Sequence, residues 1–448
     1  MTQWQKVKVG DFLFERKEKY QPNDEKIAGL GRINKIDFSG NFHIAQKPSN
    51  TKMILICPDD LVISGINVAK GAMGVYRGDK NIKATIHYSS YTFDEGKINV
   101  DYFKRFLKSA EFVKLLQEQV KGGIKTEIKP KHILPLEINL PSIKEQKIIV
   151  KKLKDIETEE SDLKQEITQQ QILLKKLRQQ ILQEAIEGKL TQDWRVKNPN
   201  TEPASELLKR IQAEKQQLIK DKKIKAQKPL SVITEDEKLF KLPKSWVWCQ
   251  VNDIANIGTG ATPLTSEPSY YGGEFNWMTS GDTGYDYVTH TKLTISKKAI
   301  QETNCKIYPT KTLVVAMYGQ GKTRGQVTEL KIDTATNQAC VAIQIYIFSV
   351  EANQFLKTHF KKIYNEIRKL AQGGAQPNLN MGKIKANVVA LPPLLEQKAI
   401  VAKVEKLLSI CDKLQTQITA NQTHAEQLMQ AVLKEAFTQS EQPIKLTV

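Results

Sequence analysis

Cysteine is sparse and scattered. Cys57, Cys249, Cys305, Cys340 and Cys411 are the five in 448 residues, and no Cys-x-x-Cys joins any two of them. That spacing supports neither a zinc ribbon nor a disulfide framework. Long apolar runs are missing too: those present, such as Leu313 to Ala316, fall far short of the ~20 residues that cross a bilayer. The opening Met1-Thr2-Gln3-Trp4-Gln5-Lys6 lacks the apolar stretch of a signal peptide, so a cytoplasmic protein with no membrane partner is expected. Six histidines (His43, His87, His132, His290, His359 and His424) show no metal-ligand spacing. There is no Asn-Pro-Pro-Tyr or Asp-Pro-Pro-Tyr loop of an amino-methyltransferase, and no Gly-rich cofactor fingerprint follows a strand. Pro58-Asp59 with Glu95-Gly96-Lys97 is only a loose likeness of a nuclease carboxylate set, and no catalytic residue is assigned.

Acidic side chains are outnumbered. Lys and Arg total 67 against 49 Asp and Glu, a net charge of +18, which points to a polyanionic partner. The excess is uneven. Segments 1–139, 197–245 and 246–390 carry +7, +5 and +5, while 140–196 and 391–448 carry +1 and zero. Phosphate contact is therefore expected from the first three segments, with spacing or assembly left to the two neutral ones.

Those neutral segments are copies of each other. Leu140-Pro141-Ser142-Ile143-Lys144-Glu145-Gln146-Lys147 returns 251 residues later as Leu391-Pro392-Pro393-Leu394-Leu395-Glu396-Gln397-Lys398. Seventeen of the 47 positions from 140 to 186 are identical at that offset. Upstream, Ala84-Thr85 matches Ala335-Thr336 and Gly122-Gly123 matches Gly373-Gly374 at the same distance. The chain reads as one unit used twice, a globular half followed by a helical segment.

The helical segments carry a heptad stripe. Ile149, Leu153, Ile156, Leu163, Ile167, Leu174, Leu177 and Ile181 fall on three- and four-residue steps, interrupted by Glu160 and Gln170. Ile400, Val404, Leu407, Cys411, Leu414, Ile418, Ala425, Leu428 and Val432 repeat the pattern, with Asn421 opposite Gln170 in the alignment. Such a stripe needs a partner helix, and the other copy is the simplest one. About 45 helical residues would span roughly 65 Å. The globular halves read as mixed and β-rich. Short runs such as Met53 to Ile56, Thr312 to Val315 and Val341 to Tyr346 are divided by Gly, Pro and Asn. Each half closes with a helix, near Tyr102–Gln119 and Phe355–Leu370. Between the copies, a Lys/Gln-rich stretch from Glu206 to Lys228 is expected to be helical within a linker or inserted arm.

Ala316-Met317-Tyr318-Gly319-Gln320-Gly321-Lys322-Thr323 follows a strand and ends like a phosphate-binding P-loop. A working P-loop opens a helix, whereas Arg324-Gly325-Gln326-Val327-Thr328 suits a hairpin or loop better. Nucleotide hydrolysis is thus a rival reading, as is a coiled-coil scaffold that binds only protein. The loops suit base reading, since Arg and Lys contact guanine and Asn and Gln pair with adenine. The candidates are Lys70, Thr85 and His87 in the first half, and Gln320, Lys322, Thr323, Arg324, Thr336, Asn337, Gln338, Gln376 and Asn378 in the second. Capping of turns by the same side chains is the competing role.

With these residues in view, the chain resembles the DNA specificity (S) subunits of type I restriction–modification systems. The likeness rests on Leu-Pro-Pro-Leu-x-Glu-Gln-x-x-Ile-Val at Leu391 to Val401, its copy at Leu140 to Val150, the long helix after each, and Gly-Gly-Ala-Gln-Pro-Asn-Leu from Gly373 to Leu379. It implies an α+β chain: two β-rich target recognition domains at 1–140 and 246–390, spacer helices at 141–192 and 391–440, and a linker at 193–245. The helices would form an antiparallel coiled coil relating the halves by a pseudo-two-fold repeat. It implies a non-enzymatic reader of a bipartite site in double-stranded DNA. Two methyltransferase subunits and motor–nuclease subunits would join it, bringing S-adenosylmethionine, ATP and Mg²⁺, with no cofactor bound by this chain. Gly123-Ile124-Lys125-Thr126 departs from Gly-Ala-Gln-Pro of the second copy, as does the Lys-rich linker.

Overall fold

The computed structural model describes residues 4–37, 40–45, 49–66, 72–107, 109–119, 129–227, 229–319, 322–370 and 379–437. Two compact units divide the chain, Met1–Gln169 with Ile418–Val448, and Gln170–Gln417.

In the first unit, β1 (Gln5–Lys8) pairs antiparallel with β10 (Glu137–Leu140), placing Gln5 opposite Leu140. Two four-stranded sheets follow. One has the order β2 (Leu13–Glu15), β9 (Tyr88–Phe93), β6 (Leu61–Ser64), β7 (Met73–Val75). The other runs β4 (Phe42–Ala45), β3 (Arg32–Ile36), β8 (Ile82–Thr85), β5 (Met53–Ile56). β6 is buried throughout because both its faces are covered. Leu61 and Ile63 enter one core while Val62, on the opposite face, enters another. Helix α1 (Val100–Phe106) is capped by Asn99, whose side chain accepts from the Tyr102 N–H, and it buries Tyr102, Phe103 and Phe106. Helix α2 (Ala110–Gln119) and the short α3 (Pro130–Ile133) complete this half. Asp60, almost fully buried, accepts two bonds from Arg16 and one from Ser90, while Asp59 pairs with Arg77 at the surface. These acids are held by ion pairs within the fold, and Glu95 is exposed.

The second unit repeats the small ribbon. β11 (Val247–Gln250) pairs with β21 (Val388–Leu391), placing Val247 opposite Leu391. A five-stranded sheet has the order β12 (Ala255–Thr259), β20 (Cys340–Ile345), β17 (Leu313–Ala316), β18 (Val327–Leu330), β14 (Tyr287–Val288). A four-stranded sheet has β15 (Leu293–Ile295), β13 (Tyr271–Met278), β19 (Thr334–Thr336), β16 (Ile307–Tyr308). The helices here are α5 (Gln192–Lys197), α6 (Ala204–Lys220), α7 (Val251–Ile254), α8 (Lys297–Glu302), α9 (Val350–Leu370) and α10 (Met381–Lys385). The expected linker helix is thus α6, shorter than Glu206–Lys228, and it ends before Lys222, whose backbone is left-handed at φ 58. It is no free arm. Ala204, Leu207 and Ile211, spaced along one face, are buried, and Lys215 donates to the Asn252 carbonyl.

The two longest helices, α4 (Ile143–Ile186) and α11 (Leu394–Phe437), have 44 residues each, and each passes from one unit into the other. In the first unit, Val150 and Leu153 share a core with Ala436 and Phe437. In the second, Arg178 pairs with Asp412 at 2.7 Å and Lys403 donates to the Leu190 carbonyl. Within each unit, then, the start of one helix lies against the end of the other. Among the buried residues, one line recurs at seven-residue steps on each helix: Leu153, Ile167, Leu174 and Ile181 on α4, and Val404, Cys411 and Ile418 on α11. Ile400 is also buried, and Ile149, Ile156, Leu407, Ala425 and Val432 are half-buried. Four expected packing residues are not. Leu163, Leu177, Leu414 and Leu428 are 40%, 44%, 45% and 63% exposed. These four side chains face solvent, while Leu153 is buried in the core of the first globular half. Among the described residues, no helix is long and apolar enough to cross a membrane.

Candidate nucleic-acid interface

A cleft of about 350 Å³ opens in the second unit between the long helices and the sheet loops. Arg178, Gln179 and Leu182 of α4 and Leu408 of α11 line one side. Thr283 to Asp286, Lys322, Gly325 to Val327, and Lys361 and Tyr364 of α9 line the rest.

Local chemistry fixes both loops. The turn at Ser280–Gly284 is capped by Thr279, whose side chain accepts from the Gly281 N–H, and by Thr283, which donates to the Ser280 carbonyl at 2.7 Å. Two residues on, Tyr285 stands 73% exposed. The turn from Lys322 into β18 uses Gly325 at φ 83, a conformation that a side chain would strain. Tyr364 ties this turn to α9 by donating to the Lys322 carbonyl at 2.5 Å.

Cations gather around Asp286. Its carboxylate pairs with Lys361 at 2.6 Å, and its carbonyl accepts from the Nζ of Lys357 at 2.5 Å. Burial alone would raise the Asp286 carboxyl, but the bond and charge of Lys361, with Lys357, hold it below its ordinary value. Lys357 is almost fully buried, and that burial, with Lys361 beside it, brings its pKa down to about 8. Its Nζ sits over the Tyr287 ring, 3.9 Å from the centre, and that of Lys331 sits over the same ring at 4.4 Å.

The sequence candidates divide. Lys322 is exposed on the cleft, with Thr323 and Arg324 half-buried behind it. Asn337 is half-buried, and its side-chain oxygen accepts from the Ala339 N–H, closing its own turn. Gln338 is exposed and accepts a bond from Thr262. Thr336 is fully buried at the end of β19, opposite Met278, so its burial tells against a base contact. In the first unit, Thr85 is half-buried at the end of β8, and His87 is exposed in the turn that follows. Lys70, Gln320, Gln376 and Asn378 lie outside the described residues. The P-loop rival fails on geometry: β17 and β18 are an antiparallel pair, and the Lys-Thr of the motif leads into a strand rather than a helix.

Sequence reasoning missed Arg178, Tyr285, Gln326 and Lys361. Tyr285 carried a usable signal, an aromatic residue just after the Gly-Asp-Thr-Gly turn. Arg178 and Lys361 carried none, because a cation on a helix flank looks the same whether it faces water or a cleft.

Residues 243–421 match the family model described as the type I restriction modification DNA specificity domain. The chain is 30% identical over 259 residues to the EcoEI specificity subunit, a type I restriction enzyme component of Escherichia coli, covering 55% of this chain and 42% of that protein. It is 32% identical over 267 residues to the EcoAI specificity subunit of the same organism, with the same coverage. The chain therefore spans less than half the length of these two curated relatives. The EcoKI specificity subunit of Escherichia coli strain K12 is 24% identical over 395 residues, 85% of this chain and 75% of that one. Among solved structures, the HsdS subunit from Thermoanaerobacter tengcongensis has a similar fold, with a TM-score of 0.60 at 14% identity over 97% of this chain and 96% of that one. A chain from a study of complex assembly and conformational transition in the type I R-M system gives 0.68 at 14% identity, over 98% of each.

Proposed function

We propose that this chain, a relative of the type I restriction–modification specificity subunits, is itself the DNA-reading subunit of such a complex. It is a non-catalytic protein that recognises two half-sites in double-stranded DNA and seats two methyltransferase subunits, with motor–nuclease subunits joining for cleavage. S-adenosylmethionine, ATP and Mg²⁺ come with those partners. In this reading, residues 1–140 and 246–390 are target recognition domains, 193–245 link them, and 141–192 with 391–440 are spacer helices whose antiparallel coiled coil sets the gap between half-sites. The two halves are related by a pseudo-two-fold repeat.

The observation that carries the reading is the cleft. Its Lys322, Gln326 and Lys361 fall within the stretch that matches the DNA specificity domain. An exposed ammonium beside an amide and an exposed tyrosine is suited to base edges and phosphates together. The seven-residue burial line on each long helix supports the coiled coil, and the exposed second line supports a partner helix against it.

Methylome sequencing of a host with and without the gene tests the reading, which expects a bipartite motif that vanishes with the gene. Lengthening both long helices by one turn should change the gap and leave the bases unchanged. Lys322→Ala and Arg324→Ala should each weaken recognition of the second half-site alone. A motif lost equally from both half-sites would make these residues general phosphate contacts or structural ones. A chain that binds no DNA even with its partner subunits would leave a protein-binding scaffold.

A further inference from the structure

Arg178 belongs to a long helix, not to either globular half, yet it lines the cleft. Its guanidinium reaches Asp412 of the other long helix at 2.7 Å, and the Asp412 side chain is 71% exposed. On the same cleft, Lys361 is held by Asp286, and Lys322 has no ion-pair partner among the described residues. Three cations thus line one cleft, and among the described residues two of them have a carboxylate partner. A solvent-exposed ion pair such as Arg178–Asp412 contributes little to holding helices together. Its acid is readily exchanged for another that fits the guanidinium fork, and a phosphodiester is such an acid.

We infer that Arg178 is a contact to the DNA backbone, and that Asp412 holds its guanidinium in place until a phosphate displaces the carboxylate. This rests on the DNA-reading function proposed above. A phosphate contact carries no base information but fixes where the duplex lies. Placed on the helix that measures the gap, it registers the DNA against that helix directly.

The test uses the full chain with its methyltransferase subunits and measures DNA affinity against salt concentration. Each neutralised phosphate contributes about 0.9 to the slope of log K on log salt. Arg178→Gln should reduce the slope by about one and weaken binding roughly fivefold near physiological salt, with half-site bases unchanged. Arg178→Lys should restore the slope. Asp412→Asn should tighten binding, and the double variant should bind no better than Arg178→Gln. An Asp412→Asn variant that loses as much affinity as Arg178→Gln would make the pair a helix brace and overturn the inference. So would an Arg178→Gln variant of unchanged slope in a complex where Lys322→Ala still weakens the second half-site, which leaves the DNA reading intact. A wild-type complex that binds no DNA would remove both.

Discussion

Gln146 and Gln397, 251 residues apart, make the same bond: each donates its side-chain amide at 2.9 Å to the carbonyl of the proline five residues earlier, Pro141 or Pro392. Both are fully or almost fully buried in the first turn of a long helix. Their oxygens differ. That of Gln146 accepts from the Asn99 N–H at 2.7 Å, while that of Gln397 is buried with no partner among the described residues. Gln146 also donates to the Lys97 carbonyl at 3.1 Å.

The two glutamines should therefore differ in worth. Gln146→Ala strands three backbone groups around a buried site and should cost the first unit about 2–3 kcal/mol. Gln397→Ala removes one bond along with an oxygen already unsatisfied, and should cost the second unit about 1 kcal/mol. Hydrogen exchange on peptides from each unit reads the two losses separately. Equal losses would mean that the bonds of Gln146 to residues 97 and 99 add nothing.

Gly260 should tolerate no side chain. A Cβ there would meet the Thr336 carbonyl oxygen at 1.7 Å, a contact that backbone must move to relieve. Gly260→Ala should destabilise the second unit by about 3 kcal/mol or more, the scale of severe overpacking. Gly284→Ala is the matched control, since the nearest atom its Cβ would meet is the Gln326 oxygen at 3.9 Å. Thermal unfolding of the two variants should separate them by many degrees; similar midpoints would mean that the loop holding Gly260 shifts freely.

Much of this arrangement was legible in the sequence, because periodicity and repeats report directly on backbone. The 44-residue helices and the Met53–Ile56 strand follow from spacing alone. What was not legible depends on which neighbour a side chain finds. Glu145 and Glu396 occupy the same position in the repeat, yet Glu145 closes a capping box with Ser142. Pro393 stands where Ser142 does and offers no hydroxyl or N–H. Glu396 turns inward instead, fully buried, to accept from Thr191, Arg195 and Trp246. Thr336 shows the same limit: its neighbours in sequence gave no hint that the strand holding it is buried.

The exposed heptad line predicts a separation between folding and assembly. Leu174 is buried and Leu177, three residues on, is 44% exposed. Leu174→Ala should cost about 2–3 kcal/mol in the chain alone. Leu177→Lys should leave the stability of the chain alone within about 0.5 kcal/mol. In the complex the order should reverse, because Leu177→Lys would put a charge where the proposed partner helix packs. Co-purification of the methyltransferase subunits with each variant checks this. Full retention by Leu177→Lys, Leu414→Lys and Leu428→Lys alike would place the partner elsewhere.

His359 sets a pH dependence in the second unit. It is buried, with its Nε2 2.6 Å from the side-chain oxygen of Asn387. Burial is the main cause that pulls its pKa from 6.5 down to about 4, against the pull of Asn387 the other way. Between those values the unfolded chain binds a proton there and the folded chain does not. Stability from this group is thus complete above about pH 6.5, and acidification through the window removes it. The full loss is about 3 kcal/mol, reached near pH 4. His359→Gln has no such proton to take up. Wild type should be the more stable at pH 7, and its advantage should shrink steadily as the pH falls to 4. Hydrogen exchange of α9 peptides across that range measures the gap, and a gap that stays constant would show that His359 takes up its proton in the fold as readily as in the unfolded chain.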